Sequence, residues 1–148
     1  MNFAVLENRI LARSGREQGS GASADEILDA EQKLGIQFIG SFRRFLERFG
    51  WIGVGPVEIY GIGTDVPKHL NLVEITLSER SEMRPALRHE FIPVMNDGRG
   101  NLYCLDTAYR IDIEVPIVLW DHEQGSGQRP TKFSKSFAEW LDAKLRDF

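Results

Sequence analysis

Cysteine is nearly absent. Cys104 is the single one in 148 residues, so no disulfide can close within the chain, and the disulfide-stapled class of small secreted domains is excluded. No apolar run approaches the roughly 18 residues that a membrane-spanning helix needs. The opening MNFAVLENRILAR interrupts its apolar residues with Glu7, Asn8 and Arg9, unlike a secretory leader. The cytoplasm is therefore the expected location. A basic excess is also missing: the formal net charge is −4, which argues against a nucleic-acid binder. HExxH, zinc-type Cys/His spacing, GxGxxG and GxxxxGK[ST] are all absent, so no metal or nucleotide cofactor is expected.

What the chain does have is the ordinary makeup of one globular domain, 42% hydrophobic and 27% charged residues, with enough length to bury a core without staples. Phe3, Leu6 and Ile10 stand at helical spacing and predict a short amphipathic helix over residues 2–13. Ser14 to Ser23 is rich in Gly and Ser and reads as a flexible link. Ser23 with Glu26, and Ser136 with Glu139, match the capping-box pattern at the start of two further helices. Between them, Phe42, Phe45, Leu46 and Phe49 share one face of a helix expected over residues 41–49, closed by Gly50. Residues 71–83 carry helical spacing, with Pro85 beyond.

Strands are expected at 57–60, 91–95, 101–106 and 116–121. FIPVMNDGRGNLYCLD holds two apolar runs joined through Asp97-Gly98, where a hairpin needs positive φ, so Gly98 and Gly100 are expected as structural turn residues. Helices first, then a run of strands, then a closing helix predict a single α+β domain, a mainly antiparallel sheet with helices packed on one side.

The acidic charge is concentrated. From Asn96 to Gly125, Asp97, Asp106, Asp112, Glu114, Asp121 and Glu123 face only Arg99 and Arg110. The balance of that segment equals the whole net charge of the chain. Two chemistries deserve weighing there. Cys104 and His122 could form a thiol nucleophile and its base, but Cys104 lies in the apolar run Leu102–Leu105, where thiols are usually buried and inert. Asp121, His122 and Glu123 could hold a metal, but continued strand alternation would turn His122 away from the two carboxylates. Trp120 either fills the core or emerges beside His122 as an interface anchor, and Trp51 and Tyr60 could extend such a surface.

In the order AEQKLGI, SFRRFLERFG, VEIYGI, FIPVMNDGRGNLYCLD, PIVLWDHE and SFAEWL, the chain resembles the SUKH superfamily, which takes in fungal cell-wall-synthesis regulators and bacterial immunity proteins. The resemblance spans about Ala24 to Leu141 and divides the chain into residues 1–23, a helix and link, and 24–148, the SUKH-like domain. One departure stands out: Phe38-Ile39-Gly40 replaces the usual Leu-Pro before the second helix of that domain. The resemblance implies a protein-binding α+β domain without catalytic residues, in bacteria typically one that neutralises a cognate toxin by contact.

The expected contact residues are Asp97, Asp106, Trp120, Asp121, His122 and Glu123, forming an acidic rim that would meet a basic toxin surface. Two other readings are an intracellular scaffold or regulator without a toxin, and a small enzyme or ligand-binding domain using Cys104 and His122.

Overall fold

The computed structural model describes residues 1–147. Five helices and seven strands follow the order α1 (Phe3–Leu11), β1 (Glu17–Gln18), α2 (Ala24–Leu34), α3 (Gly40–Arg48), β2 (Ile52–Val54), β3 (Val57–Ile59), α4 (Leu72–Ser81), β4 (Phe91–Asn96), β5 (Leu102–Asp106), β6 (Ile117–Trp120), β7 (Thr131–Ser134) and α5 (Phe137–Arg146). This is the α+β architecture expected from the sequence. The strands form two antiparallel sheets, β1-β2-β3 and β4-β5-β6-β7. Tyr60 joins them, its N–H donating to the carbonyl of Val94 at 2.9 Å.

Local chemistry sets the helix starts. Ser23 and Glu26 form both halves of a capping box on α2. Asn71 accepts from the Glu74 N–H and starts α4. On α5 only half of the expected box forms: Ser136 accepts from Glu139, while the Glu139 carboxylate lies 3.7 Å from the Met1 amino group. Helix α3 has no cap of its own at Ile39. The Glu114 carboxylate supplies it from across the fold, accepting the Ser41 N–H at 3.1 Å and the Ser41 hydroxyl at 2.8 Å. That long-range cap stands where a proline would pre-organise the first turn.

The main core lies between the helices and one face of the sheets. Phe42 and Phe45 pack on Phe137 with ring centroids 4.9 and 5.1 Å apart, and Ile92, Tyr103, Leu105 and Ile117 face the same cluster. Burying aromatic rings of this size contributes about 1.5–3 kcal/mol each. Strand β5 is buried along its whole length. Its alternate residues Leu102 and Cys104 face a second, smaller cluster with Leu87, Phe91, Val118 and Trp120. The run Leu102–Leu105 is apolar because both faces of this strand are covered.

Residues 14–23, read from composition as a flexible link, are tied down instead. Strand β1 pairs with β2, the Ser20 N–H donates to Asp65 at 3.0 Å, and the Ala22 N–H donates to Leu46 at 2.8 Å. The glycines here permit close approach. A Cβ on Gly21, at φ +95°, would lie 2.4 Å from the Glu47 carbonyl oxygen. Helix α1 buries Phe3, Leu6 and Ile10 in the main core. Among the described residues, no helix is long and apolar enough to cross a membrane.

Candidate functional site

Strands β4, β5 and β6 run up, down and up. The β4–β5 hairpin and the turn after β6 therefore share one end of the sheet, and the β5–β6 connection lies at the other. This topology brings Asp97, Gly98, Gly100, Asp121, His122 and Glu123 together. Asp106, paired with Phe91, sits at the opposite end, so the single acidic rim expected from the sequence is split in two.

The hairpin end is held by side chains bonding to backbone. Asp97 Oδ1 accepts the N–H groups of Arg99 and Asn101 at 2.7 and 3.1 Å. Gly98 and Gly100 take φ of +86° and +94°, conformations costly for residues with a Cβ. The Asn101 side-chain oxygen lies 3.1 Å from the His122 N–H and 2.6 Å from His122 Nδ1, so Nδ1 carries the hydrogen. The imidazole lies over Gly100, where a Cβ would come within 3.1 Å of the ring.

Strand β6 stops at Trp120, and the alternation expected for Asp121, His122 and Glu123 does not occur. Asp121 Oδ1 accepts the Glu123 N–H at 2.9 Å, curling the chain into a turn. Buried Gln128 closes that turn, exchanging bonds of 2.9 Å with the backbone N–H and carbonyl of Asp121. The side chains of His122 and Glu123 are left 45% and 82% exposed. The result is a set of charged groups on a stiff, already ordered base, which reduces the entropy lost on contact.

Two of the expected contact residues face inward. Trp120 is 2% exposed, its ring 5.4 Å from Phe91, with the Arg88 guanidinium 5.8 Å from its centre. The even positions of β5 and β6 pair on the second cluster's side, so the indole fills that cluster and is unavailable as an interface anchor. Asp106 is 8% exposed, and its Oδ1 accepts the Ala108 N–H at 3.2 Å. Burial, with Glu90 nearby, pushes its carboxyl above the usual range.

Cys104 is fully buried, its Sγ 3.7 Å from the Leu102 carbonyl oxygen. Burial, followed by the Glu79 and Asp106 carboxylates, pushes the thiol well above its usual range. That is the reverse of what a thiolate nucleophile needs. His122 lies beyond the end of β6 and is held by Asn101, so the two do not form a nucleophile–base pair. Among the described residues, no group of three His, Cys, Asp or Glu side chains could hold a metal ion.

The hairpin end extends further than the sequence reading reached. A cleft of about 390 Å³ lies beside Asp97 and Gly98, lined also by Tyr60, Met95, Glu58 and His69. Glu58 and His69 approach to 3.0 Å, and burial, with Glu79, Cys104 and Glu58 adding to it, raises the Tyr60 phenol to about 12. Glu58 was visible as the exposed middle residue of Val57-Glu58-Ile59. Tyr60, which could extend such a surface, is largely buried but lines this cleft. Trp51 is as buried as Tyr60, and its indole N–H donates to Asp65 at 3.2 Å. Gln128, which locks the turn, gives no local signal in the sequence.

Comparison with known proteins adds a family and a fold. The family model described as SMI1-KNR4 cell-wall, of the SUKH group, matches residues 5–146, including most of α1. Among solved structures, a protein from Pseudomonas syringae pv. tomato superposes with a TM-score of 0.69 over 94% of each chain at 20% identity. At that identity the likeness is one of fold.

Proposed function

The chain belongs to the SUKH (SMI1-KNR4 cell-wall) family, and from that premise we propose that it is a non-catalytic protein-binding domain, of the immunity type, that neutralises a cognate bacterial toxin by contact. The observation that carries this reading is the hairpin end. Glu58 on β3, with Asp97, Asp121 and Glu123 on turns fixed by side-chain hydrogen bonds, outnumber Arg99 and Arg129 there. Such a face suits a basic partner surface, for example the substrate groove of a nuclease. Charge complementarity would mainly speed association and exclude wrong partners. The contact set is Asp97, Asp121, His122 and Glu123, with Glu58 added and with Trp120 and Asp106 left to the interior. The burial of Cys104 argues against the enzyme reading.

The test is capture of partners on the tagged protein in its native host, identified by mass spectrometry, followed by co-expression of the captured domain. Growth arrest by that domain, relieved by this protein, is the expected result. A captured partner without toxicity would overturn the immunity role in favour of a scaffold or regulator.

A further inference from the structure

The opposite end of the sheet has a different surface. Tyr109 and Ile113 are 65% and 73% exposed, the most exposed large hydrophobic side chains among the described residues. Both lie in the β5–β6 connection. Exposed apolar groups gathered in one place mark contact surfaces more often than scattered ones do.

This connection is rigidly held. Ile111 and Glu114 exchange backbone hydrogen bonds of 2.8 and 2.9 Å, with Asp112 at φ +61°, the one non-glycine residue at positive φ among those described. Glu114 is fastened to Ser41. A Cβ on Gly40 would lie 2.5 Å from the Ile113 carbonyl oxygen, so the loop is seated directly on the start of α3. Ile113 is thus presented at the tip of a braced turn.

Beside this knob lie two adjoining hollows of about 480 and 450 Å³. Ile39, Gln37 and Arg110 line both, with Ile36 and Val115 in the larger and Ile113 itself on the lip of the smaller. The charges at the patch are also of both signs. Arg110 and Asp112 are exposed, and neither has a hydrogen bond or ion pair among the described residues. Glu90, which shares the larger hollow, is turned to Arg88 at 3.2 Å, and Arg43 lies between Glu31 and Glu47.

A knob beside a hollow, with one free cation beside one free anion, is a patch that complements itself under two-fold rotation. We propose that this surface joins two copies of the chain into a symmetric homodimer. Ile113 of each copy enters the hollow beside Ile36 and Ile39 of the other, Tyr109 covers the rim, and Arg110 meets Asp112 across the axis. The free edge of β7 is a weaker alternative, because Pro130, Lys132 and Lys135 guard it and Phe133 already packs edge-on against Tyr103 at 5.4 Å. The hairpin end stays free in such a dimer, so toxin binding and self-association use different surfaces.

Sedimentation equilibrium of the purified full chain over a wide concentration range tests this. The wild type is expected as a dimer, with I113D weakening association by roughly tenfold or more. R110D sets carboxylates against each other and weakens it too, and D112N placed in the R110D background recovers part of the loss. Thermal melts show whether each variant is folded. If I113D fails to fold, the exposed R110D pair decides. A wild type that is monomeric throughout, or a dimer that both I113D and R110D leave unchanged, would overturn the proposal.

Discussion

At the hairpin end of the β4–β7 sheet, charged side chains stand on turns stitched together by Asp97, Asn101, Asp121 and Gln128. At the other end, Tyr109 and Ile113 project from a turn braced against α3 by Glu114. Both are pre-organised, by different means. The hairpin end uses side-chain bonds within its two turns, with Asn101 reaching across to His122 21 positions on. The opposite end depends on a bond between residues 73 positions apart. Each end can therefore be disabled without dismantling the other, and each is matched to a different kind of partner: charge for the first, shape and apolar contact for the second.

The largest effect should come from the core between the two ends. Trp120→Ala removes the main side chain of the second cluster and is expected to cost about 3–5 kcal/mol, read by urea denaturation. A loss below about 1 kcal/mol would return Trp120 to the surface. Next is Glu114→Ala, which uncaps α3 and frees the Ile113 turn. About 2 kcal/mol is expected, with faster hydrogen exchange at residues 109–114 and none of that change at the hairpin. Exchange rising equally at both ends would erase the distinction.

Cys104 should label far more slowly with a thiol reagent in the native protein than after unfolding, since its thiol is buried and its ionisation suppressed. Rapid labelling at neutral pH would revive the nucleophile reading.

The smallest effect concerns Asp106. Its folded-state carboxyl titrates above the ordinary carboxylate range. In the window between the unfolded and folded values the folded state holds more protons, so stability falls as pH rises through it. Asp106→Asn keeps an acceptor for Ala108 and removes that penalty. It should raise the melting temperature slightly at neutral pH, and the gain should vanish as pH drops below the ordinary carboxyl range.

Much of this was legible where the determinants are local. The Asp97-Gly98 turn, the cap at Ser23 and the phenylalanine face of α3 are each written within a few residues of one another. Sequence reasoning failed where distant residues decide. Nothing near Asp121 announces that Gln128 closes a turn there, so strand alternation continued to Glu123 runs three residues past the end of β6 at Trp120. Asp106 stands close to Asp97 in sequence, yet one pass down β5 carries it to the far end of the sheet. The short strands β1 and β7 owe their conformation to the neighbours they pair with, β2 and β6, and composition reads residues 14–23 as a link. Nothing in the mixed run Thr107 to Val115 distinguishes Tyr109 and Ile113, whose exposure is set by the fold.

The hairpin end is the proposed contact face. The direct measurement is the association rate of the captured partner with wild type and with the D121K/E123K double variant, at low and high salt. Glu123 is exposed, whereas D121K also removes the bond that Asp121 accepts from the Glu123 N–H, so a stability loss of about 1 kcal/mol is expected, with thermal melts to show that the double variant is folded. The rate should fall by roughly tenfold or more at low salt, with a flatter salt dependence. An unchanged rate and an unchanged salt dependence would contradict the assignment.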